Sequence, residues 1–496
     1  MDENQKDYDP GQGEEEKTDG SVHSQESQTN QAQNASVRKG KWNVGSATYI
    51  WISVVCLVAS LCILLTYTLT AARDRAYYSD KLAAQQAVID RLAQGAGSDI
   101  GVDKLALLDG IFSKYSYYAG SKTEEELMTA VLKAYVAATG DEYAAYMTEE
   151  EFRAMYASNV GSSVGIGVSV VRNTVTAGTT AYEVAQTIAV YDNSPAQQAG
   201  VRVGDCIYRV KVDGVYKTAS EIGYTGMTGA IAGEIGTAVE FSVLRPENGG
   251  YTSVDISALR NTYEIQTVSH WISESNPSVA IVRISSFDLV TPKQFKAAMS
   301  TLLQNPEIKH FVFDVRNNPG GDLQSIKATL TYFLQEGDLI LSAVDKDGNI
   351  PKSYYAEPIA LLGDYAACNV AKNEIGMYAG LDMTVLCNGN TASAAEVFTA
   401  TLRDYGLATI VGSKTFGKGI MQSTLSLSEF GNYTGYLKLT TYAYVTKCGV
   451  TYHDIGILPD PGLAVELSEE AKNQNFHLLT EQQDNQLQAA IAQFNQ

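Results

Sequence analysis

The chain is poor in the residues that build metal centres and disulfide frameworks. Its 496 residues hold six cysteines and five histidines. Cys56 and Cys62 fall in an apolar run, and Cys206, Cys368, Cys387 and Cys448 are scattered at no ligand spacing, so neither a metal nor another cofactor is expected. Positive charge is short as well. Lys and Arg number 36 against 56 Asp and Glu, a formal net charge of −20, and with no basic stripe to offset it locally the chain repels phosphate backbones; nucleic acid is excluded as a partner. A true phosphate loop is also lacking. "GSKTFGKGI", residues 412–420, starts like one, since Gly412, Gly417 and Lys418 fit G-x-x-x-x-G-K. The next residue is Gly419, where a magnesium-holding Ser or Thr is needed, and the sequence beyond it reads as strands instead of the required helix. A lysine between two glycines therefore needs another explanation.

What the chain does have is one long uncharged run. Residues 49–72, "YIWISVVCLVASLCILLTYTLTAA", are long enough to cross a bilayer as a helix, and the expected transmembrane segment is 46–72. The run is longer than a typical signal-peptide core and a polar stretch precedes it, which argues for an uncleaved anchor over a cleaved signal. Residues 1–45, rich in Gln, Glu, Ser and Asn, read as a disordered tail. Arg38, Lys39 and Lys41 before the span outnumber Arg73 and Arg75 after it, so the tail is assigned to the cytoplasm and the remainder to the far side of the cell membrane.

Residues 73–157 form a stalk and helical region in which Thr123 and Thr148, each followed by acidic residues, mark helix starts. From 158 to 250 β-branched residues alternate, with Gly165 and Gly167 beside a strand, and a small β-rich domain is expected. Strands alternate with helices from 251 to 465, which predicts an α/β layer domain. Residues 466–496 read as a helical segment; its amphipathic pattern, like that of the N-terminal helices, fits pairing in a homodimer or packing within one chain.

Three stretches of the α/β domain carry chemistry. Ser393, in "GNTASAAEVF", stands where a strand gives way to a helix, so its hydroxyl sits by unpaired backbone N–H groups; taken alone, a helix cap explains it too. "DVRNNPGGDL" ends a buried strand in a Pro-Gly-Gly turn whose amides suit an oxyanion hole or an ordinary turn. Lys418 and Gln422 are read as lying on one strand, four positions apart and thus on the same face, where the carboxamide can hold the amine. A free lysine with a pKa of about 10.4 is neutral in roughly one molecule in 2,500 at pH 7, but burial among small and apolar neighbours, Phe416 included, lowers that value. The histidines, His270, His310 and His453 among them, fall in no motif that favours a Ser-His-Asp triad.

In this order the motifs resemble those of the C-terminal processing peptidases, or tail-specific proteases, over roughly residues 103–493. "DEYAAYMTEEEF", "GIGV", "NSPAQQAGVRVGDCI", "DVRNNPGG", "TASAAE", "TFGKGIMQ" and "GILPDP" carry the likeness. The resemblance implies a crotonase-like ββα protease core and a PDZ domain. It implies Ser393 as nucleophile, Lys418 as general base and Gln422 as the residue that orients the lysine. Backbone amides of Gly320 or Gly321, the likeness not fixing which, would join that of Ala394 in the oxyanion hole. Gly165, Ile166, Gly167 and Val168 would hold the tail of a protein or peptide substrate with a free C-terminus. The sequence departs from the family pattern at Glu142, at Ala395 and in "TKCGVTYHDIG". The expected function is a membrane-anchored extracytoplasmic serine endopeptidase. The alternative is a catalytically silent membrane scaffold that binds protein tails.

Overall fold

The computed structural model describes residues 100–494, all within the compact unit Val88–Gln496. The expected polar tail, membrane helix and first part of the stalk, residues 1–99, lie outside the described residues. Among those described, no helix is long and apolar enough to cross a membrane.

Helices Ile100–Tyr115, Glu124–Ala137 and Glu149–Asn159 open the described chain. Thr123 and Thr148 start the latter two with reciprocal capping boxes, each hydroxyl accepting from the amide three residues on and each glutamate reaching back. Between these helices the chain is not helical: Tyr143 follows a turn closed by Asp141, and β1 (Ala145–Met147) joins a sheet of the α/β domain.

The β-rich unit contains β2 (Ser162–Gly165), β3 (Val168–Ala177), β4 (Thr180–Val190), β5 (Cys206–Val212), β6 (Val215–Thr218), β7 (Ala238–Glu247), β8 (Gly250–Leu259) and β9 (Asn261–Glu264). Its main sheet runs β3-β4-β5-β7-β8, with β6 beside β5, while β2 pairs with β9. Helix Ala219–Ile231 packs on it through Met227 and Ile231, over Ile207, Val210, Phe241 and Val243. The unit ends near Glu264 and not at 250. The polar "ENGG" that looks like a boundary is a hairpin tip: Asn248 and Gly249 both have positive φ, which a tight two-residue turn demands, and β7 pairs with β8 from Glu247↔Gly250 outward.

Five strands form the core sheet of the α/β domain. They are β10 (Val268–Ile272), β11 (Val279–Ile284), β12 (His310–Asp314), β15 (Asp382–Cys387) and β16 (Ala408–Gly412), in that spatial order and parallel from β11 onward. A second sheet holds β13 (Leu339–Val344), β14 (Lys352–Tyr355), β17 (Ile420–Ser426) and β18 (Tyr436–Val445), and it takes in β1. Phe295, Phe313, Phe333 and Phe398 fill the core between the first sheet and helices Thr291–Leu302, Leu323–Thr331 and Ala394–Asp404. The other face of that sheet is covered by the terminal helix Asn485–Ala492, whose Leu487, Ala490 and Ile491 rest on Ile281, Val312 and Val411. Parallel strands need both faces covered, and the C-terminal segment completes that cover.

Candidate active site

Ser393 is the residue just before helix Ala394–Asp404, and its backbone has φ 55° and ψ −119°. A side chain in this rarely occupied region costs on the order of 1–3 kcal/mol and persists only where the surroundings enforce it. The enforcement is visible. Gly320 packs so closely that a Cβ there would lie 2.7 Å from Ser393 Cβ and 2.9 Å from Ala392 O. Ala392 N–H donates to Asn318 O, and Asn388 and Asn390 both donate to Asn317 Oδ1. The serine turn and the Pro-Gly-Gly turn are thus one rigid piece.

Lys418 does not lie on a strand. The segment between β16 and β17 is irregular, because the amides of Gly417 and Lys418 donate to Glu396 and leave no ladder to form. Lys418 and Gln422 therefore do not share a strand face as their even offset suggests, although Gln422 itself is on β17. The glycines beside the lysine admit a second backbone: a Cβ on Gly419 would lie 2.5 Å from His453 N, and one on Gly417 3.0 Å from Gly456 N. Phe416 does not shield the amine, being 57% exposed. The aromatic neighbour is Tyr143 instead, with Lys418 Nζ 4.3 Å from its ring centroid, a contact that favours the charged amine.

Two buried side chains outside the expected site fix the serine and lysine backbones together. Glu396 accepts on one oxygen from Ser393 N–H at 2.9 Å and Lys418 N–H at 2.7 Å. Its other oxygen accepts from Gly417 N–H at 2.7 Å and Thr415 Oγ1 at 2.6 Å. Four donors match the four lone-pair sites of a carboxylate. On the carbonyl side, the Tyr444 hydroxyl donates to Lys418 O at 2.8 Å and lies 3.3 Å from Ser393 O. Burial pushes the Tyr444 phenol far above its ordinary value, so it stays a donor. The sequence held a signal for Glu396: Ser393 to Glu396 has the S-x-x-E spacing of a capping box. Tyr444 left none, and Tyr143 only its place in the stretch "DEYAAYMTEEEF", because the contacts of both depend on tertiary structure.

The Pro-Gly-Gly turn separates its two glycines by their hydrogen bonds. Gly320 N–H is already engaged by Asn318 Oδ1 at 2.8 Å. Gly321 has φ 150° and touches Phe287, yet the bonds there run from Phe287 N to Gly320 O and from Asp322 N to Phe287 O. Among the described residues the Gly321 amide is left open, as is that of Ala394 in the first helical turn. Behind the turn, Arg316 is fully buried between Asp314 and Asp484, and Arg283 also bonds Asp314. Although burial opposes ionisation, Arg316 and Arg283 hold the Asp314 carboxyl well below the usual range. This network ties the turn to the C-terminal segment.

Ser393, Ala394, Lys418, Gln422 and Gly321 all line one cleft of about 670 Å³, together with apolar Leu323, Ile326, Leu341, Val397 and Met421. Burial holds the Lys418 ammonium below the ordinary lysine value, aided by the charge of Lys438 and opposed by that of Asp141. A second, smaller concavity of about 120 Å³ lies in the β-rich unit, lined by Gly165, Ile166, Gly167 and Val168 from one side and by Thr228 and Ile231 of helix Ala219–Ile231 from the other. β3, which leaves from Val168, is an edge strand. Among the described residues no group of His, Cys, Asp and Glu could hold a metal ion.

Compared with known proteins, residues 278–462 match peptidase family S41. A CtpA-like serine protease of Staphylococcus saprophyticus is 28% identical over 345 residues, which cover 69% of this chain and 62% of that one, so the chain spans less than two thirds of that relative. A carboxy-terminal-processing protease of Bartonella bacilliformis is 28% identical over 341 residues, covering 68% and 70% of the two chains. The solved structure of a Bacteroides fragilis protein described as an S41 protease covers 78% of this chain and 97% of that chain at 16% identity and a TM-score of 0.51, a likeness of fold alone. The resemblance to C-terminal processing peptidases read from the motifs is borne out by the sequence matches.

Proposed function

We propose that this chain, a relative of the family S41 C-terminal processing peptidases, is a serine endopeptidase with a Ser393/Lys418 dyad. The observation that carries the reading is the pair of clamps, Glu396 and Tyr444, that fix Ser393 and Lys418 to each other through their backbones at the edge of one cleft. A strained serine at a helix start and a partly buried lysine have no structural need of one another; for chemistry they do.

Neutral Lys418 takes the Ser393 proton as the hydroxyl attacks a peptide carbonyl, and it then returns a proton to the leaving amine. For that step the amine comes off the Tyr143 ring to within hydrogen-bond reach of Ser393 Oγ. The carbonyl oxygen of the tetrahedral intermediate is stabilised by the open amides of Gly321 and Ala394, while Gly320, its own amide engaged, serves to admit the serine turn. Gln422 orients the lysine. The apolar floor of the cleft favours small and branched apolar side chains beside the scissile bond.

The β-rich unit acts as a PDZ domain that selects substrates by their tails. The free tail adds to edge strand β3 opposite helix Ala219–Ile231, its carboxylate meets the amides at 165–167, and Ile166 and Val168 favour an apolar last residue. Residues 46–72 anchor the chain in the cell membrane with the tail at 1–45 in the cytoplasm and the peptidase outside it.

The test is hydrolysis of an unstructured peptide with a free apolar C-terminus by the full chain in detergent. Ser393→Ala, Lys418→Ala and Lys418→Arg each lose at least about 10³-fold in kcat/KM while staying folded, because a guanidinium does not give up its proton. Near-normal cleavage by Lys418→Arg removes the lysine from the role of base.

A further inference from the structure

Of the stretch "DEYAAYM" only Tyr143 has entered the dyad chemistry above, yet Asp141 also reaches toward it. Asp141 Oδ2 accepts from Thr440 N–H at 2.7 Å, and Asp141 Oδ1 lies 3.0 Å from Thr440 Oγ1. Thr440 faces Gln422 across the β17–β18 ladder, and Gln422 Nε2 lies 3.2 Å from the same hydroxyl. Two residues further, the Tyr143 ring faces the Lys418 amine, and β1 then pairs Ala145 with Lys438.

A threonine hydroxyl has one proton to give, and an ionised carboxylate can only accept. Burial works against ionisation of Asp141, but the hydrogen bonds from Thr440 and Tyr143 prevail and hold its carboxyl below the usual range. The Thr440 proton is therefore committed to Asp141. Its oxygen is left as an acceptor, so Gln422 must present its NH2 group to Thr440, and the carboxamide oxygen is the end left for the cleft. That oxygen is then free to accept from the Lys418 amine.

We propose that Asp141, acting through Thr440, is a positioning residue that sets which end of the Gln422 carboxamide faces Lys418. The proposal rests on the dyad reading above. It places part of the base's orientation in a segment 299 positions away in sequence from the threonine it holds. Chain order alone could not show this.

Such a relay predicts an unusual pairing of mutations. In Asp141→Asn the new NH2 group donates to Thr440, whose proton then turns to Gln422 and flips the carboxamide, so an NH2 group opposes the amine. Gln422→Glu alone sets a carboxylate against the Thr440 lone pairs. In the double variant Thr440 donates to the carboxylate introduced at position 422, and an acceptor again faces Lys418.

With the full chain and one free-tailed peptide, kcat falls about 10²-fold in Asp141→Asn while KM stays within about twofold, and the double variant regains at least about tenfold over that single change. A merely structural aspartate gives no such rescue. Wild-type kcat in Asp141→Asn, or a double variant no better than either single one, overturns the proposal. If thermal melting shows Asp141→Asn unfolded, Thr440→Val carries the test, since it removes the hydroxyl that orients the carboxamide; wild-type kcat there overturns the proposal equally. Ser393→Ala, measured alongside, separates the two levels. Activity in that variant sinks the dyad itself, whereas an inactive Ser393→Ala with an unaffected Asp141→Asn sinks only the relay.

Discussion

Around Ser393 the backbone is committed on every side: its amide to Glu396 Oε2, its carbonyl to the amides of Glu396 and Val397, its neighbour Ala392 to Asn318, and its Cβ pressed by Gly320. Around Ile166 the floor is pinned as tightly, since a Cβ on Gly167 would lie 2.3 Å from Ser194 Cβ and Ala196 N–H donates to Ile166 O, but the walls differ. The concavity is small, β3 offers an unpaired edge, and helix Ala219–Ile231 is interrupted at Gly223, whose φ of 75° and ψ of 158° are not helical. Gly226 and Gly229 follow in the same helix. The contrast fits the two tasks proposed for these regions. Bond-breaking needs reacting groups held to fractions of an ångström, whereas holding varied tails by backbone hydrogen bonds tolerates adjustment of the opposing helix.

Breaking the rigid side gives the largest effect. Glu396→Gln puts an NH2 group against two of the four donors that the carboxylate satisfies. The loss is about 2–4 kcal/mol of stability, because hydrogen bonds to a charged group contribute about 1.5–3 kcal/mol and orphaned buried donors add to it. Unfolding in denaturant measures this term, and kcat for the fraction that remains folded falls at least about 10²-fold as Ser393 and Lys418 drift apart. Full activity would show that the clamp is ornamental.

The sequence made much of this legible. The capped starts at Thr123 and Thr148, the alternation of strands and helices, and Ser393 at a strand-to-helix junction follow from local rules that the structure obeys. The extent of the β-rich unit did not, because a positive-φ turn at Asn248 and Gly249 looks like a linker when its partner strand is unknown. Lys418 reads as a strand residue for a related reason: the glycines around it are there for loop 452–456, and the amides that a strand would use are taken by Glu396. Asp141 and Tyr143 were unreadable as site residues, since only the pairing of β1 with β18 brings them to Lys418 and Thr440.

On the adaptable side a smaller effect is expected. Peptides ending in a free Ala, Val or Leu are cut about tenfold or more faster, by kcat/KM, than the same peptides amidated or ending in Asp, as burial of one apolar side chain contributes about 1.5–3 kcal/mol. Competition between free and amidated peptides in one reaction, followed by mass spectrometry, reads the ratio directly. A ratio near one would reduce the β-rich unit to a spacer.

The smallest effect tests the central claim, that a lysine kept neutral by its surroundings is the base. Activity rises with pH as Lys418 loses its proton, and because burial and Lys438 hold its pKa down, the rising limb lies below that of a free lysine at about 10.4. Lys438 lines the same cleft. Lys438→Gln removes a positive charge that disfavours the Lys418 ammonium, so the ammonium persists to higher pH, the limb moves in the alkaline direction, and activity at pH 7 falls. The measurement is the pH profile of kcat/KM on one uncharged-side-chain peptide for the wild type and Lys438→Gln. An alkaline shift is the predicted result. A limb that stays in place, or moves towards acid, contradicts Lys418 as the group whose deprotonation starts the reaction.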